Sequence, residues 1–159
     1  GLQCAIIDFA RNVCGLSNAN STEFNKNTNH PVISLMESQK AIKIKGGTMR
    51  LGAYTCAIKR GTRLYSAYKK TKITERHRHR YEFNNKYLKR LEKDGLIFSG
   101  VNPDLKVVEA IEIPENSWYV ATQYHPELKS RINKAHPLFR EFIKAAKTLK
   151  LKHVNKQYF

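Results

Sequence analysis

The chain has 159 residues, enough for one domain that buries most of the surface its unfolded form would expose. With 41% hydrophobic and 10% aromatic residues it falls in the globular range, and no apolar run approaches the ~18 residues of a membrane span. Twenty-nine Lys and Arg against 13 Asp and Glu leave a net charge of +16, which can draw nucleic acid, nucleotides or acidic surfaces. Much of the excess is scattered singly, without basic-aromatic interleaving, so it reads first as a solvated surface.

In chain order, Leu2, Ile6, Phe9 and Val13 fall on one stripe at helical spacing, and Cys14-Gly15 supplies a stop, so the first element is a helix. Residues 15 to 50 are rich in Asn, Ser, Thr and Gly and read as loops, interrupted by a short apolar piece around Val32 to Met36. Tyr54 to Ile58 is a strand, and Thr62 caps a short helix through Tyr68. Ile73 to Phe83 alternates in strand fashion. Asn85 to Asp94 is a helix ended by Gly95. Strands follow at Leu96 to Ser99, Val107 to Ile113 and Trp118 to Gln123, separated by turns containing Pro103 and Pro114. Pro137 opens a last amphipathic helix carrying Leu138, Phe139, Phe142, Ile143 and Ala146, and 151 to 159 form a basic tail, poorly ordered unless docked. The pattern is that of an α/β domain.

Cys4, Cys14 and Cys56 are an odd set at unpatterned spacing, which argues against a disulfide framework and for a reducing, cytoplasmic compartment. No basic segment followed by an apolar stretch marks a signal peptide, and Gly1 reads as an internal residue. His125-Pro126-Glu127 stands just past an apolar strand. A histidine there, with a carboxylate two residues on, suits a general base held in orientation by its own neighbour. An ordinary His-Pro turn leaving a sheet is the simpler reading of that tripeptide alone. His77 and His79 share a strand face at the spacing of two metal ligands, but no third ligand is evident, so no metal is expected. Arg76, Arg78 and Arg80 would share the opposite face.

Several blocks in order, Gly1-Leu2-Gln3, Phe9-Ala10-Arg11-Asn12-Val13, Ala19-Asn20-Ser21-Thr22-Glu23-Phe24, Gly46-Gly47-Thr48-Met49-Arg50-Leu51-Gly52, Glu75-Arg76-His77-Arg78-His79-Arg80-Tyr81-Glu82 and Gln123-Tyr124-His125-Pro126-Glu127, resemble the glutaminase domain of the CTP synthase family. The resemblance implies a class I glutamine amidotransferase fold, flavodoxin-like α/β, over residues 1-150, incomplete at its N-terminus and followed by the 151-159 tail. It implies hydrolysis of glutamine to glutamate and ammonia, which a separate synthetase domain would use to aminate UTP to CTP with ATP. Mg²⁺ and allosteric GTP are expected for such a whole enzyme, none of them for this chain, and a homotetramer is expected for the assembly.

By the same resemblance His125 is the general base and Glu127 the third member of a triad, which fixes the imidazole tautomer. Gly1, Leu2 and Gln3 contact glutamine, Glu23 pairs with its ammonium, and Arg80 grips its carboxylate in a fork. Arg50 is a candidate for a GTP-responsive surface. The family's nucleophilic Cys would stand just upstream of Gly1, and Cys4 falls inside the helix, off the tight turn a nucleophile needs. The expectation is therefore an N-terminally truncated domain that is inactive by itself. Two alternatives stay open: an inactive remnant that binds glutamine or supports assembly, and a basic RNA-binding module favoured by charge alone.

Overall fold

The structure, a computed structural model, describes residues 1–35 and 49–157, with side chains as far as 150. Met36 and Gly46 to Thr48, which entered the readings above, lie outside the described residues, as do the last two residues of the chain. Helix α1 spans Leu2–Asn12 and buries Leu2, Ala5, Ile6, Ile7, Phe9 and Ala10. That is the stripe its sequence spacing predicts through Leu2, Ile6 and Phe9, but Val13, expected to continue it, caps the helix end and is 55% exposed. Each fully buried Leu, Ile or Phe on it contributes roughly 1.5–3 kcal/mol.

The stretch read as loops holds two strands, β1 (Ala19–Ser21) and β2 (His30–Ser34), paired in parallel. Their brevity hides them: three to five residues give too little alternation to register against a polar background. β3 (Arg50–Ile58) is longer than the Tyr54 to Ile58 expected, and its antiparallel partner is β4 (Lys72–His79). Between them α2 (Arg63–Tyr68) starts as anticipated, with the Thr62 hydroxyl accepting the Tyr65 N–H at 3.1 Å. The run expected from Ile73 to Phe83 is broken at Arg80-Tyr81, after which β5 (Glu82–Phe83) pairs with β2.

A 3-10 turn at Asn85–Tyr87 leads into α3 (Leu88–Lys93), which Gly95 terminates at φ 103°, a conformation that favours glycine. Then come β6 (Ile97–Val101), β7 (Val108–Glu112), β8 (Val120–Thr122) and α4 (Pro137–Gln157). The helix thus continues to Gln157 through residues expected as a loose tail.

β1, β2 and β5 form one sheet, and β4, β3, β6, β7 and β8 lie side by side in the other. Two apolar clusters result. One joins α1, β1, β2 and α3 to Phe98, Val108 and Ile111, and the other joins Leu64 and Ala67 of α2 to Cys56, Ile73, Ala110, Tyr124 and Leu138. The α/β class expected from the sequence is the class observed. No helix among the described residues is long and apolar enough to cross a membrane.

Candidate active site

A cavity of about 820 Å³ opens where the head of α1 meets the end of β8. Its walls include Gly1, Leu2, Gln3 and Cys4 on one side, Trp118 to Glu127 on another, and Leu138, Phe139 and Phe142 of α4. The first-turn N–H groups of α1 have no intrahelical partner, and the helix dipole places partial positive charge at this end. The cavity therefore meets both an apolar wall and a helix head suited to negative charge.

His125 follows β8 and caps the 3-10 turn Pro126–Leu128. Its backbone N–H donates to the Arg76 carbonyl at 2.9 Å, which pins it to the edge of β4. Pro126, fixed in φ, turns the chain so that Glu127 folds back, and His125 Nδ1 lies 2.6 Å from Glu127 Oε1. Both side chains are accessible, at 38% and 57% exposure. Burial works to raise the Glu127 pKa, but the hydrogen bond from His125 overcomes it and holds the carboxyl below its ordinary value. The ionised carboxylate accepts Nδ1–H and leaves Nε2 as the ring's free base.

The residues expected to bind substrate are brought together unequally. Gly1, Leu2 and Gln3 stand in the cavity wall with His125 and Glu127. Gln3 Nε2 donates to the Tyr81 carbonyl at 2.9 Å, and Gln123 Nε2 donates to the same oxygen at 2.8 Å. Arg80, the residue before Tyr81, is thereby tied to the cavity through its neighbour, although it is half-buried past the end of β4 and outside the cavity wall. It does not continue the outward row of Arg76 and Arg78. Glu23 is exposed on the turn after β1, where its N–H donates to Ser21 Oγ at 3.1 Å, and it too lies outside the cavity wall.

Arg50 requires a correction. Expected on a nucleotide-responsive surface, it is buried at 4% exposure, with its guanidinium 3.0 Å from Glu82 and 2.7 Å from Glu109 and stacked 4.4 Å from the Tyr54 ring centroid. The reason is register: β3 turns Arg50, Cys56 and Ile58 inward and leaves Leu51, Ala53 and Ala57 outside. His77 and His79 do share a face, with ring centroids 5.3 Å apart, and each takes a carboxylate, His77 with Glu109 and His79 with Glu82 at 2.6 Å. No group of three His, Cys, Asp or Glu among the described residues converges on a metal position.

Gln123, Glu82 and Glu109 were missed as site-supporting residues. The signal was present in the inward positions of β4, where Glu75, His77 and His79 alternate with exposed cations, a pattern that demands buried partners. The thiols divide similarly. Burial pushes Cys14 up to about 11, helped by Asp94, and Cys56 up to about 12, helped by Glu109 and Glu75. Cys4 is exposed and in the cavity wall, but within α1.

Comparison with known proteins matches residues 1–145 to the family model described as glutamine amidotransferase class-I. The chain is 60% identical over 147 residues to a CTP synthase from Chlorobium phaeobacteroides and 57% identical over 146 residues to one from Cytophaga hutchinsonii, covering 92% of this chain each time. It spans about a quarter of the length of these curated relatives, 26% and 27%. The solved glutaminase domain of Trypanosoma brucei CTPS, with bound acivicin, superposes with a TM-score of 0.85 at 38% identity, over 93% of this chain and 58% of that one.

Proposed function

The chain belongs to the class I glutamine amidotransferases, and from that premise we propose that it is the glutamine-hydrolysing part of a CTP synthase. In this reading a thiolate attacks the glutamine amide, forming a thioester and releasing ammonia, and water then releases glutamate. His125 takes the proton from the nucleophile, passes it to the departing nitrogen and later activates water, a role matched to an imidazole at neutral pH. Glu127 holds the ring with Nε2 toward the cavity. Gly1, Leu2 and Gln3 at the head of α1 receive the substrate, Arg80 takes its carboxylate, and Glu23 takes its ammonium.

The released ammonia serves a synthetase domain that aminates UTP with ATP and Mg²⁺. The buried Arg50 does not fit a direct contact with GTP, and no step is assigned to it. The observation that carries the reading is the 2.6 Å His125–Glu127 pair beside the cavity at the helix head.

The thiols favour a second reading, a glutamine-binding or assembly module without turnover of its own. Two of the three are buried, and the third sits inside a helix rather than at a strand-to-helix turn. In that reading the purified 159-residue chain releases no ammonia from glutamine. Turnover that disappears in Cys4→Ala would refute it and make Cys4 the nucleophile.

The main reading is tested in the enzyme carrying this chain. His125→Ala should lower glutamine-dependent CTP formation by about 10²- to 10⁴-fold while ammonia-dependent formation persists. Equal loss with both nitrogen sources would make His125 structural.

A further inference from the structure

Tyr68, the last residue of α2, packs in the second apolar cluster. Its hydroxyl oxygen lies 3.1 Å from Glu75 Oε1, 3.0 Å from His136 Nε2 and 3.3 Å from Tyr124 Oη. Glu75, His136 and Tyr124 are all buried. Each stands one step from something that fixes His125. Tyr124 precedes it in the chain. Glu75 precedes Arg76, whose carbonyl accepts the His125 N–H.

His136 closes the segment that carries Glu127: its N–H donates to Ser130 Oγ at 3.1 Å, and the Leu138 N–H points at its Nδ1 at 3.3 Å. Lys129, in the same segment, reaches the Thr74 carbonyl at 2.5 Å and Glu75 at 3.4 Å.

The hydrogens can be assigned by chemistry. A hydroxyl has one proton to donate, and the carboxylate is the strongest acceptor, so Tyr68 donates to Glu75. With Leu138 donating to Nδ1, His136 carries its own proton on Nε2 and gives it to the Tyr68 oxygen and to Glu75, 3.3 Å away. Tyr124 donates to the same Tyr68 oxygen. Burial pushes Tyr68 and Tyr124 above the ordinary tyrosine range, so both retain the protons this wiring needs.

We infer that Tyr68 is a positioning residue for His125: its hydroxyl joins the residue before His125, the strand that anchors its backbone and the end of the segment bearing Glu127. Tyr68 lies outside the cavity wall and acts through these three groups. The inference rests on the glutaminase reading above.

Tyr68→Phe removes only the hub oxygen. In the 159-residue chain, ring-nitrogen NMR should show His125 as one tautomer, protonated at Nδ1 against Glu127, and in Tyr68→Phe the two nitrogen shifts should converge as tautomers exchange. In the enzyme carrying this chain, kcat for ammonia release from glutamine should fall about tenfold at unchanged KM, within the range that misplacement of a catalytic group produces. Tyr65→Phe, on the same helix but bonded to Arg60, should change neither.

Tyr124→Phe, which severs one arm and leaves Glu75 and His136 joined, should give the same signature at smaller size, and it stands in if Tyr68→Phe does not fold. Unchanged His125 nitrogen shifts and kcat in a folded Tyr68→Phe would overturn the inference. If His125→Ala itself spares ammonia release, the glutaminase reading falls instead.

Discussion

Of the histidine–glutamate pairs among the described residues, two differ in almost everything but their chemistry. His125–Glu127 sits beside the cavity with both side chains accessible, while His77–Glu109 is fully buried. The accessible pair comes from one tight turn, so its geometry is local. The buried pair joins β4 to β7 across 32 residues of sequence and is held by Arg50 of β3, which also reaches Glu82 and through it His79. A carboxylate beside an imidazole makes a base only where a substrate can reach the ring. Where it cannot, the same pair is a structural rivet whose charges must balance internally.

The largest effect expected from this contrast is on stability. Arg50→Ala leaves Glu82 and Glu109 buried without their shared cation and should cost about 3–5 kcal/mol in urea unfolding. A loss under ~1 kcal/mol would mean that the interior carboxylates tolerate the change by protonating or by admitting water. The next effect is on substrate use. Arg80→Lys keeps the charge but loses the paired donors, so kcat/KM for glutamine should fall by about one to two powers of ten, the equivalent of a charge-assisted bond of about 1.5–3 kcal/mol. Arg78→Lys, on the exposed outer face of β4, should be far milder. If the two behave alike, Arg80 does not grip the substrate.

A third expectation concerns pH. Burial works to raise the Glu75 pKa, but hydrogen bonds from His136 and Tyr68 and the Lys129 ammonium hold it below its ordinary value. A depressed folded-state pKa contributes stability that is present above the unfolded value, near 4.5, and is lost as pH falls through the folded one. Urea stability should therefore drop from pH 5 to pH 3, and Glu75→Gln should be less stable at pH 7 but show a shallower acid slope. An unchanged slope would exclude Glu75 as a source. The smallest effect belongs to the accessible pair: Glu127→Gln should alter stability by no more than about 0.5 kcal/mol while slowing glutamine hydrolysis. A large stability loss there would erase the distinction between the two pairs.

Much of this was legible before any coordinates. The stripe on α1 as far as Phe9, the Thr62 cap, the Gly95 stop and, within narrower bounds than expected, the strand before His125 are local patterns that appear where the residues place them. The His125–Glu127 contact was equally readable, because two residues on one proline turn have little freedom to avoid each other. β1 and β2 were not, since such short strands are defined by their partners rather than by their own alternation.

Arg50 and Leu51 show where local reasoning fails. By hydropathy the leucine belongs inside and the arginine outside, yet β3 does the reverse. Whether a charge is tolerable in an interior depends on what faces it, and Glu82 and Glu109 arrive from distant strands. The chain's own order of residues therefore determined its periodic elements, its family motifs and its local His–Glu turn. Tertiary structure alone decided that His77 is sealed in the interior, which arginine balances the buried carboxylates, and that Tyr68 meets Glu75, Tyr124 and His136, because burial and long-range charge pairing are properties of the assembled sheet.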